Sequence, residues 1–178
     1  MTKCTVMDEY NKEIFDQIKS EVRRRLFDES MPRLKRCFEK LSEEDVWWRP
    51  NDNSNSIGNL ILHLCGNIRQ WMLSALGGRV DNRVRQMEFD ERGPLPKDAL
   101  IQKLDQVMRE VDELLDQLHP KTLIEKKVVQ GFEETGMSIL IHVIEHFSYH
   151  VGQIVYATKA AKDIDLRFYG NKDLDVTG

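Results

Sequence analysis

The sequence predicts an all-α protein, most simply a four-helix bundle, and three features indicate this class. Its 178 residues include only 10 glycines and 5 prolines, so few turns are expected between elements. Hydrophobic residues make up 40% and charged residues 31%, a mixture typical of a folded globular chain. Four stretches of about 20 residues or more are expected to be helices, and several carry apolar residues at helical spacing.

The first predicted helix covers residues 8–40. Its inner face is expected to carry apolar residues at intervals of four: Ile14, Ile18, Val22 and Leu26. Pro32 should kink this helix or begin a second segment, because proline removes a backbone donor and clashes with the preceding turn.

A capping motif and a polar loop separate the first two long helices. Ser42 and Asp45 have the spacing of a capping box, and residues 51–56 are polar. The second helix is predicted to begin near Ser56 and to run to about Leu76, where two glycines end it.

The second half of the chain is predicted to contain two further helices. Residues 79–95 are charged and turn-rich, and we expect a surface excursion with little regular structure. The third helix follows from Pro96 to about Leu118, with His119 capping its end. Residues 127–132 could form a short extended piece. The fourth helix is predicted over residues 135–162.

These elements predict a single domain over residues 1–178, with the bundle over about 8–162 and a coil tail over 163–178. The net charge of −4 argues against nucleic-acid binding. No apolar run approaches the roughly 20 residues of a membrane span, and the first residues lack an apolar signal core. The three cysteines (Cys4, Cys37 and Cys65) have no C-x-x-C spacing, so we expect reduced thiols and a cytoplasmic location.

Histidines on two of the predicted helices carry the strongest functional signal. His142, His146 and His150 are four residues apart, so neighbouring imidazoles lie one turn apart and can share a metal ion. Three in a row drift around the helix by about 40° per step, so one ion would take one pair. His63, in an apolar stretch of the second helix, could supply a third ligand.

Polar residues accompany His63 along the second helix. Asn59, His63 and Asn67 form a ladder on what should be an inward face, where buried polar groups require partners. Cys65 lies two residues from His63 and therefore points to another face. We expect it to be a buried apolar residue and not a ligand.

One alternative arises from His142–His146, which matches the H-x-x-E-H pattern of inverted zinc peptidases. In those enzymes two histidines bind zinc and the glutamate acts as the base. That chemistry also requires a distant acidic ligand and a substrate cleft, yet only 32 residues follow His146. Glu145 is more simply explained as an exposed neighbour of the site, which leaves a metallopeptidase as a remote alternative.

Three motifs also carry a resemblance to a known family. They are Ser56–Leu60 leading to His63-Leu64, the H-x-x-x-H-x-G-Q string within His146–Ile154, and the turn Trp48-Arg49-Pro50. Over about residues 10–165 the chain resembles the DinB-like (YfiT-related) metal-binding bundles. The resemblance implies a four-helix bundle in up-down-down-up order, with a long connection between helices two and three.

The resemblance also implies a site and a chemistry. By position the metal ligands would be His63, His146 and His150, with His142 spare and zinc or nickel as the ion. Many members are dimers, so a homodimer is expected. Characterised relatives include isomerases and thiol S-transferases that use low-molecular-weight thiols such as bacillithiol or mycothiol. A small-molecule substrate, with such a thiol among the candidates, is therefore implied.

A divalent ion on three neutral histidines keeps open positions and brings the pKa of bound water or thiol near neutrality. The expected activity is therefore a metal-dependent thiol S-transferase or a hydrolase. Further contacts to the ligands or substrate are expected from five residues: Asn59, Asn67, Tyr149, Gln153 and His142. Tyr149 could equally be a packed aromatic. The alternatives are a non-catalytic metal-binding or stress-induced protein, and a helical module whose histidines are merely buried.

Overall fold

The structure is a computed structural model that describes residues 3–93, 95–170 and 172–177. Most of these residues are helical, in agreement with the predicted class. In chain order the helices are α1 (Lys3–Arg23), a π-helical segment (Arg24–Ser30), α2 (Met31–Lys40), α3 (Glu43–Trp47), α4 (Ile57–Ile68), a second π-helical segment (Arg69–Leu76), α5 (Arg85–Asp90), α6 (Lys97–Gln117), a 3-10 turn (Pro120–Leu123) and α7 (Gly136–Lys162).

A short antiparallel hairpin precedes α7. Strand β1 (Lys126–Val129) pairs with β2 (Phe132–Thr135), and Val129 lies opposite Phe132 at the turn. Gln130 and Gly131 both have positive φ values there, the conformation that tight hairpin turns require. The extended piece considered for residues 127–132 is therefore a two-stranded addition to an otherwise helical protein.

The first helical region is divided where Pro32 predicted a division. Pro32 is among the first two residues of α2, and the π-helical segment Arg24–Ser30 leads directly into it, so the helical hydrogen-bond pattern changes next to the residue that lacks an N–H. The expected inner face needs one correction. Val22 and Leu26 are buried, but Ile14 is 58% exposed and Phe15 is buried in its place. The apolar stripe is thus rotated by one residue in the first turns.

Two capping boxes fix the beginnings of α3 and α4. Ser42 Oγ accepts from the Asp45 N–H, and the Asp45 carboxylate accepts from the Ser42 N–H. At α4, Ser56 Oγ accepts from the Asn59 N–H, and Asn59 Oδ1 accepts from the Ser56 N–H. Each pair satisfies backbone donors that a helix start leaves free. The second box holds Asn59 buried at the first turn of α4.

Helix α4 lies at the centre of the packing. It contacts α5, α6 and α7, while α2 packs on the other side of α7. Ile61 and Leu64 of α4, Leu104 of α6 and Phe147 of α7 are fully buried. Burial of each such side chain stabilises the fold by roughly 1.5–3 kcal/mol. This apolar packing holds α4 and α7 together and so fixes the position of their polar side chains.

The connection between Leu76 and α6 differs from its prediction. Residues 79–95 were expected to form a surface excursion with little regular structure, but residues 85–90 form α5, which packs on α4. The Asn59 side-chain amide donates to the carbonyl oxygens of Glu88 and Glu91, at 2.9 and 2.8 Å. Buried polar groups of α4 therefore hold this connection in place. Its packing on α4 does not require apolar residues at helical spacing within the connection.

Coil follows α7, as predicted for the tail. Leu166 is buried, and Arg36 donates to the carbonyl oxygens of Leu166 and Arg167.

Cys37 and Cys65 are buried free thiols, whereas Cys4 lies outside the residues whose side chains are described. His119 is exposed and follows Leu118, the residue that caps α6, so the expected capping role for His119 is wrong. No helix in the described ranges is both long and apolar enough to cross a membrane.

Candidate metal centre

Helices α4 and α7 bring three histidines together. Nε2 of His63 lies 3.1 Å from Nε2 of His146, which lies 3.2 Å from Nε2 of His150. The ligand atoms of these histidines all lie within 4.8 Å of one another. They are the residues that the resemblance implied, and they could hold a metal ion.

Two of the separations between the three nitrogens suit a metal ion. Two imidazoles bound to one tetrahedral zinc at about 2.0–2.1 Å have nitrogens about 3.3 Å apart. The separations of 3.1 and 3.2 Å are close to that value. Without a cation, the single N–H of a neutral His146 ring could satisfy only one of its two neighbours. The donor set therefore fits a divalent ion better than it fits a hydrogen-bonded cluster.

The imidazoles of His146 and His150 are held in the neutral form that binds metals. Burial, and then the neighbouring His150 and His63, lower the pKa of His146 to about 3. Burial also lowers the pKa of His150, although its hydrogen bond to Gln153 acts in the opposite direction. At neutral pH both rings keep a free lone pair, so an ion would displace no proton from them.

A carboxylate lies behind His63. Nδ1 of His63 is 2.9 Å from Oε2 of Glu88, so the ring donates its Nδ1–H to this acceptor and leaves Nε2 free for a metal. Arg83 binds both carboxylate oxygens of Glu88, through Nε at 2.7 Å and a terminal nitrogen at 2.9 Å. Burial alone would raise the pKa of Glu88, but Arg83, together with His63, holds that pKa below its ordinary value.

Sequence reasoning missed both Arg83 and Glu88. They lie in a charged segment without helical periodicity, where a solvated surface is the usual expectation. One signal was available in Gly66, a glycine inside α4 and three residues after His63. A glycine at such a position can mark a close approach by another part of the chain.

The other two histidines have different surroundings. His150 donates its Nδ1–H to Oε1 of Gln153, at 2.7 Å. Gln153 is exposed, whereas His150 is only 9% exposed. Nδ1 of His146 is buried and has no hydrogen-bond partner within the described part of the chain. The Nδ1 atoms of the three candidate ligands therefore have different partners: a buried carboxylate for His63, an exposed amide oxygen for His150, and none among the described residues for His146.

His142 is not a member of this group, although its ring centre lies 5.4 Å from that of His146. Its ring stacks on Trp71, with centroids 3.7 Å apart and planes inclined by 22°. The Trp71 indole N–H donates to Oε1 of Gln130 in the hairpin turn. The structure thus pairs His150, and not His142, with His146 and His63. The spare role expected for His142 is consistent with this placement.

The remaining predicted residues fall in different places. Asn59 binds the connection and does not face the ligand nitrogens. Asn67 is buried, with its Oδ1 unpaired among the described residues. Tyr149 is 64% exposed, and its ring centre lies 5.0 Å from that of His150. Glu145 is exposed, and the third member of the group is His63, not a carboxylate. Both points weigh against the peptidase alternative.

Two cavities border the site. A groove of about 810 Å³ lies between α7 and the segment before α4, and Trp48, Tyr149, Gln153 and Tyr156 are among its lining residues. The three imidazoles are not among them. A smaller cavity of about 350 Å³ is lined by Arg83, Glu88 and Cys65, among others. Burial raises the pKa of Cys65 to about 12, so its thiol is an unreactive apolar group, as predicted.

Comparison with known proteins gives a family match. A family model described as "Protein of unknown function (DUF1572)" matches residues 14–169. The matched range contains the three histidines and the connection with Arg83 and Glu88. A search of curated proteins finds no match.

Proposed function

The chain belongs to the DUF1572 family, and we propose that it is a DinB-like four-helix bundle that binds one divalent metal ion through His63, His146 and His150. The bundle would be formed by the four long helical regions, in the up-down-down-up order that the resemblance implies. The segment between Leu76 and α6 would be the long connection of that fold.

One observation carries this proposal. Three Nε2 atoms from two helices converge within 4.8 Å, while Nδ1 of His63 and of His150 each bind an acceptor on the opposite side of the ring. Hydrogen bonds of this kind orient metal-binding histidines and fix their tautomer. Imidazole ligands suit zinc and nickel, and three neutral rings leave a coordination position for a further molecule.

We propose thiol S-transfer or hydrolysis as the activity. A bound ion would supply Lewis acidity, which makes a bound thiol or water a nucleophile near neutral pH. The substrate would lie in the groove of about 810 Å³, where Trp48, Tyr149 and Tyr156 offer apolar and aromatic surface. Gln153 would connect the groove to the proposed metal site, because it lines the groove and accepts a hydrogen bond from His150.

The remaining parts of the proposal come from the resemblance and the composition. The substrate would be a small molecule, with a low-molecular-weight thiol as the co-substrate of a transferase. The protein would be a cytoplasmic homodimer that binds neither nucleic acid nor membranes.

The first experiment is metal analysis of untagged protein by plasma mass spectrometry. We expect about one divalent ion per chain. His63→Ala and His150→Ala should lose the ion, because each removes a ligand. His119→Ala is the matched control, since His119 is exposed and lies outside the group. Folded wild-type protein that takes up no ion after reconstitution with zinc or nickel would exclude the site.

A second candidate function is a non-catalytic metal-binding protein. It is favoured by the absence of the three imidazoles from the lining of the groove. In that case the ion would serve to join α4 to α7. A screen of thiol transfer and hydrolysis with the reconstituted protein separates the two. Turnover that disappears in His150→Ala supports the enzyme, and a bound ion without turnover supports the structural role.

A further inference from the structure

The connection between Leu76 and α6 contributes a buried ion pair to the metal site. Only 5% of the Arg83 side chain and 11% of the Glu88 side chain are exposed. Arg83 also donates to Oε1 of Gln70, in the π-helical segment that follows α4, at 2.8 Å. A charged pair is rarely buried at this level without a specific partner, and here the partner is Nδ1 of His63.

The direction of the hydrogen bond at Nδ1 follows from the two groups around it. Oε2 of Glu88 lies at 2.9 Å and a terminal nitrogen of Arg83 at 3.2 Å. Arg83 already donates to both oxygens of Glu88, whereas an ionised carboxylate can only accept. His63 therefore donates from Nδ1 to Glu88. The terminal nitrogen of Arg83 lies near Nδ1 of His63 because Arg83 forms a bidentate ion pair with the same carboxylate.

Helix α4 is shaped to accept this pair. A Cβ atom on Gly66 would lie 1.9 Å from Oε1 of Glu88 and 2.9 Å from Nε of Arg83. Asn59, one turn before His63, binds the backbone of the same connection. Asn59 and Gly66 of α4, and Gln70 of the π-helical segment after it, thus accommodate the pair and its backbone.

We propose that Glu88 is a positioning residue for the metal site, which holds His63 as its Nδ1–H tautomer so that Nε2 faces the ion. This inference rests on the proposed metal binding. Glu88 itself is not a ligand, because it binds the side of the ring opposite to Nε2. Because binding and positioning are thermodynamically linked, an ion at His63 should in turn hold residues 79–93 against α4.

The test is metal affinity, measured by competition with a chromophoric zinc chelator, in wild type and three variants. Glu88→Ala should weaken zinc binding by about 10–100-fold, the usual effect of losing such a partner. Glu88→Gln should lose less, because its amide oxygen still accepts the Nδ1–H. Asp90→Asn is the control. Asp90 is an exposed carboxylate on the same segment, and among the described residues its side chain accepts a hydrogen bond only from Gln86.

A second measurement needs no metal. Nitrogen-15 shifts of the imidazoles in the metal-free protein report the tautomer of each ring. We expect His63 as Nδ1–H in wild type and in Asp90→Asn, and a shift towards Nε2–H in Glu88→Ala. A purely structural role for Glu88 would change the melting temperature without changing this tautomer.

The outcomes separate the two proposals. If wild type binds zinc and Glu88→Ala binds it within about twofold of Asp90→Asn, the positioning role is wrong while the metal site stands. If folded wild type binds no zinc or nickel, the proposed function fails. The tautomer of His63 in the metal-free variants then decides alone whether Glu88 positions the ring.

Discussion

Glu88, behind the candidate metal site, occupies the space that a side chain at Gly66 would take. A Cβ atom on Gly66 would lie 1.9 Å from Oε1 of Glu88, well inside van der Waals contact. The carboxylate can bind His63 only because residue 66 has no side chain. A glycine inside a helix is normally less favourable than alanine by about 1 kcal/mol. At residue 66 this cost is accepted because the absent side chain leaves room for Glu88.

We predict that Gly66→Ala destabilises the protein by about 1–2 kcal/mol, against the direction of helix propensity. The new methyl group would push Glu88 away from His63 and leave Arg83 without its partner. Zinc affinity should fall by about 10–100-fold. Denaturant unfolding and chelator competition measure the two effects.

Gly152→Ala provides the control, because a Cβ there has no neighbour within 4 Å. This variant should be more stable by about 0.5–1 kcal/mol and should keep its metal affinity. If Gly66→Ala behaves in the same way, Glu88 does not occupy the space described.

Local patterns predicted the helices well. The capping box at Ser42, the start of a helix near Ser56 and the change of helical segment near Pro32 follow from local backbone chemistry, and each lies where the sequence placed it. Ile14 was wrongly expected to be buried, because the four-residue spacing predicts an apolar stripe along the helix but not exactly how that stripe is oriented towards the core. Tertiary packing decides that Phe15 is buried instead.

The histidines of the candidate site could be predicted from the sequence, but the ion pair behind them could not. The spacing of His142, His146 and His150 left the choice of pair open, and the family resemblance supplied the choice. For the pair of Arg83 and Glu88 the sequence offered only the indirect signal of Gly66, because long-range contacts leave no periodic pattern in a short charged connection. The structure shows that this connection, including α5, packs on α4.

We predict that His142→Ala keeps its metal ion, whereas His146→Ala loses it. His142 stacks on Trp71 and lies outside the group of three. Its loss should lower the free energy of unfolding by about 0.5–1.5 kcal/mol, the range for aromatic pairs. Metal analysis combined with urea unfolding of both variants provides the measurement. Loss of the ion from a folded His142→Ala protein would contradict this ligand assignment.

Metal removal should lower the melting temperature. An ion at 100 times its dissociation constant stabilises the folded state by about 2.7 kcal/mol. For a chain of this size that corresponds to about 5–10 °C, measured by calorimetry with and without a chelator. His63→Ala should show no chelator effect, because it has already lost a ligand. An equal shift in that variant would assign the stabilisation to another site.

Asp45 should make the stability depend on pH in the acid range. Lys162 of α7, and to a lesser degree Ser42, hold the pKa of Asp45 at about 2, below its ordinary value of 3.8. A lowered pKa stabilises the fold above the unfolded value, and this contribution is lost as the pH falls from about 4 to 2. Since the pair lies near the surface, we expect about 1 kcal/mol or less.

Asp45→Asn should therefore be less stable than wild type at pH 7 and equally stable at pH 2, as measured by urea unfolding. Glu44→Gln is the matched control, because Glu44 lies in the same first turn of α3 without an ion pair among the described residues. A difference between Asp45→Asn and wild type that persists unchanged at pH 2 would show that the Lys162 pair is not its source.

Gln153 and Glu88 serve equivalent nitrogens, but we predict unequal consequences of their loss. Each accepts the Nδ1–H of a histidine, from His150 at 2.7 Å and from His63 at 2.9 Å. Gln153 is exposed, so water can replace its oxygen, whereas the side chain of Glu88 is only 11% exposed. Gln153→Ala should thus weaken zinc binding by no more than about threefold, against about 10–100-fold for Glu88→Ala. Chelator competition on both variants provides the comparison. An equal loss would mean that water does not reach Nδ1 of His150, and that burial does not decide which partner the site requires.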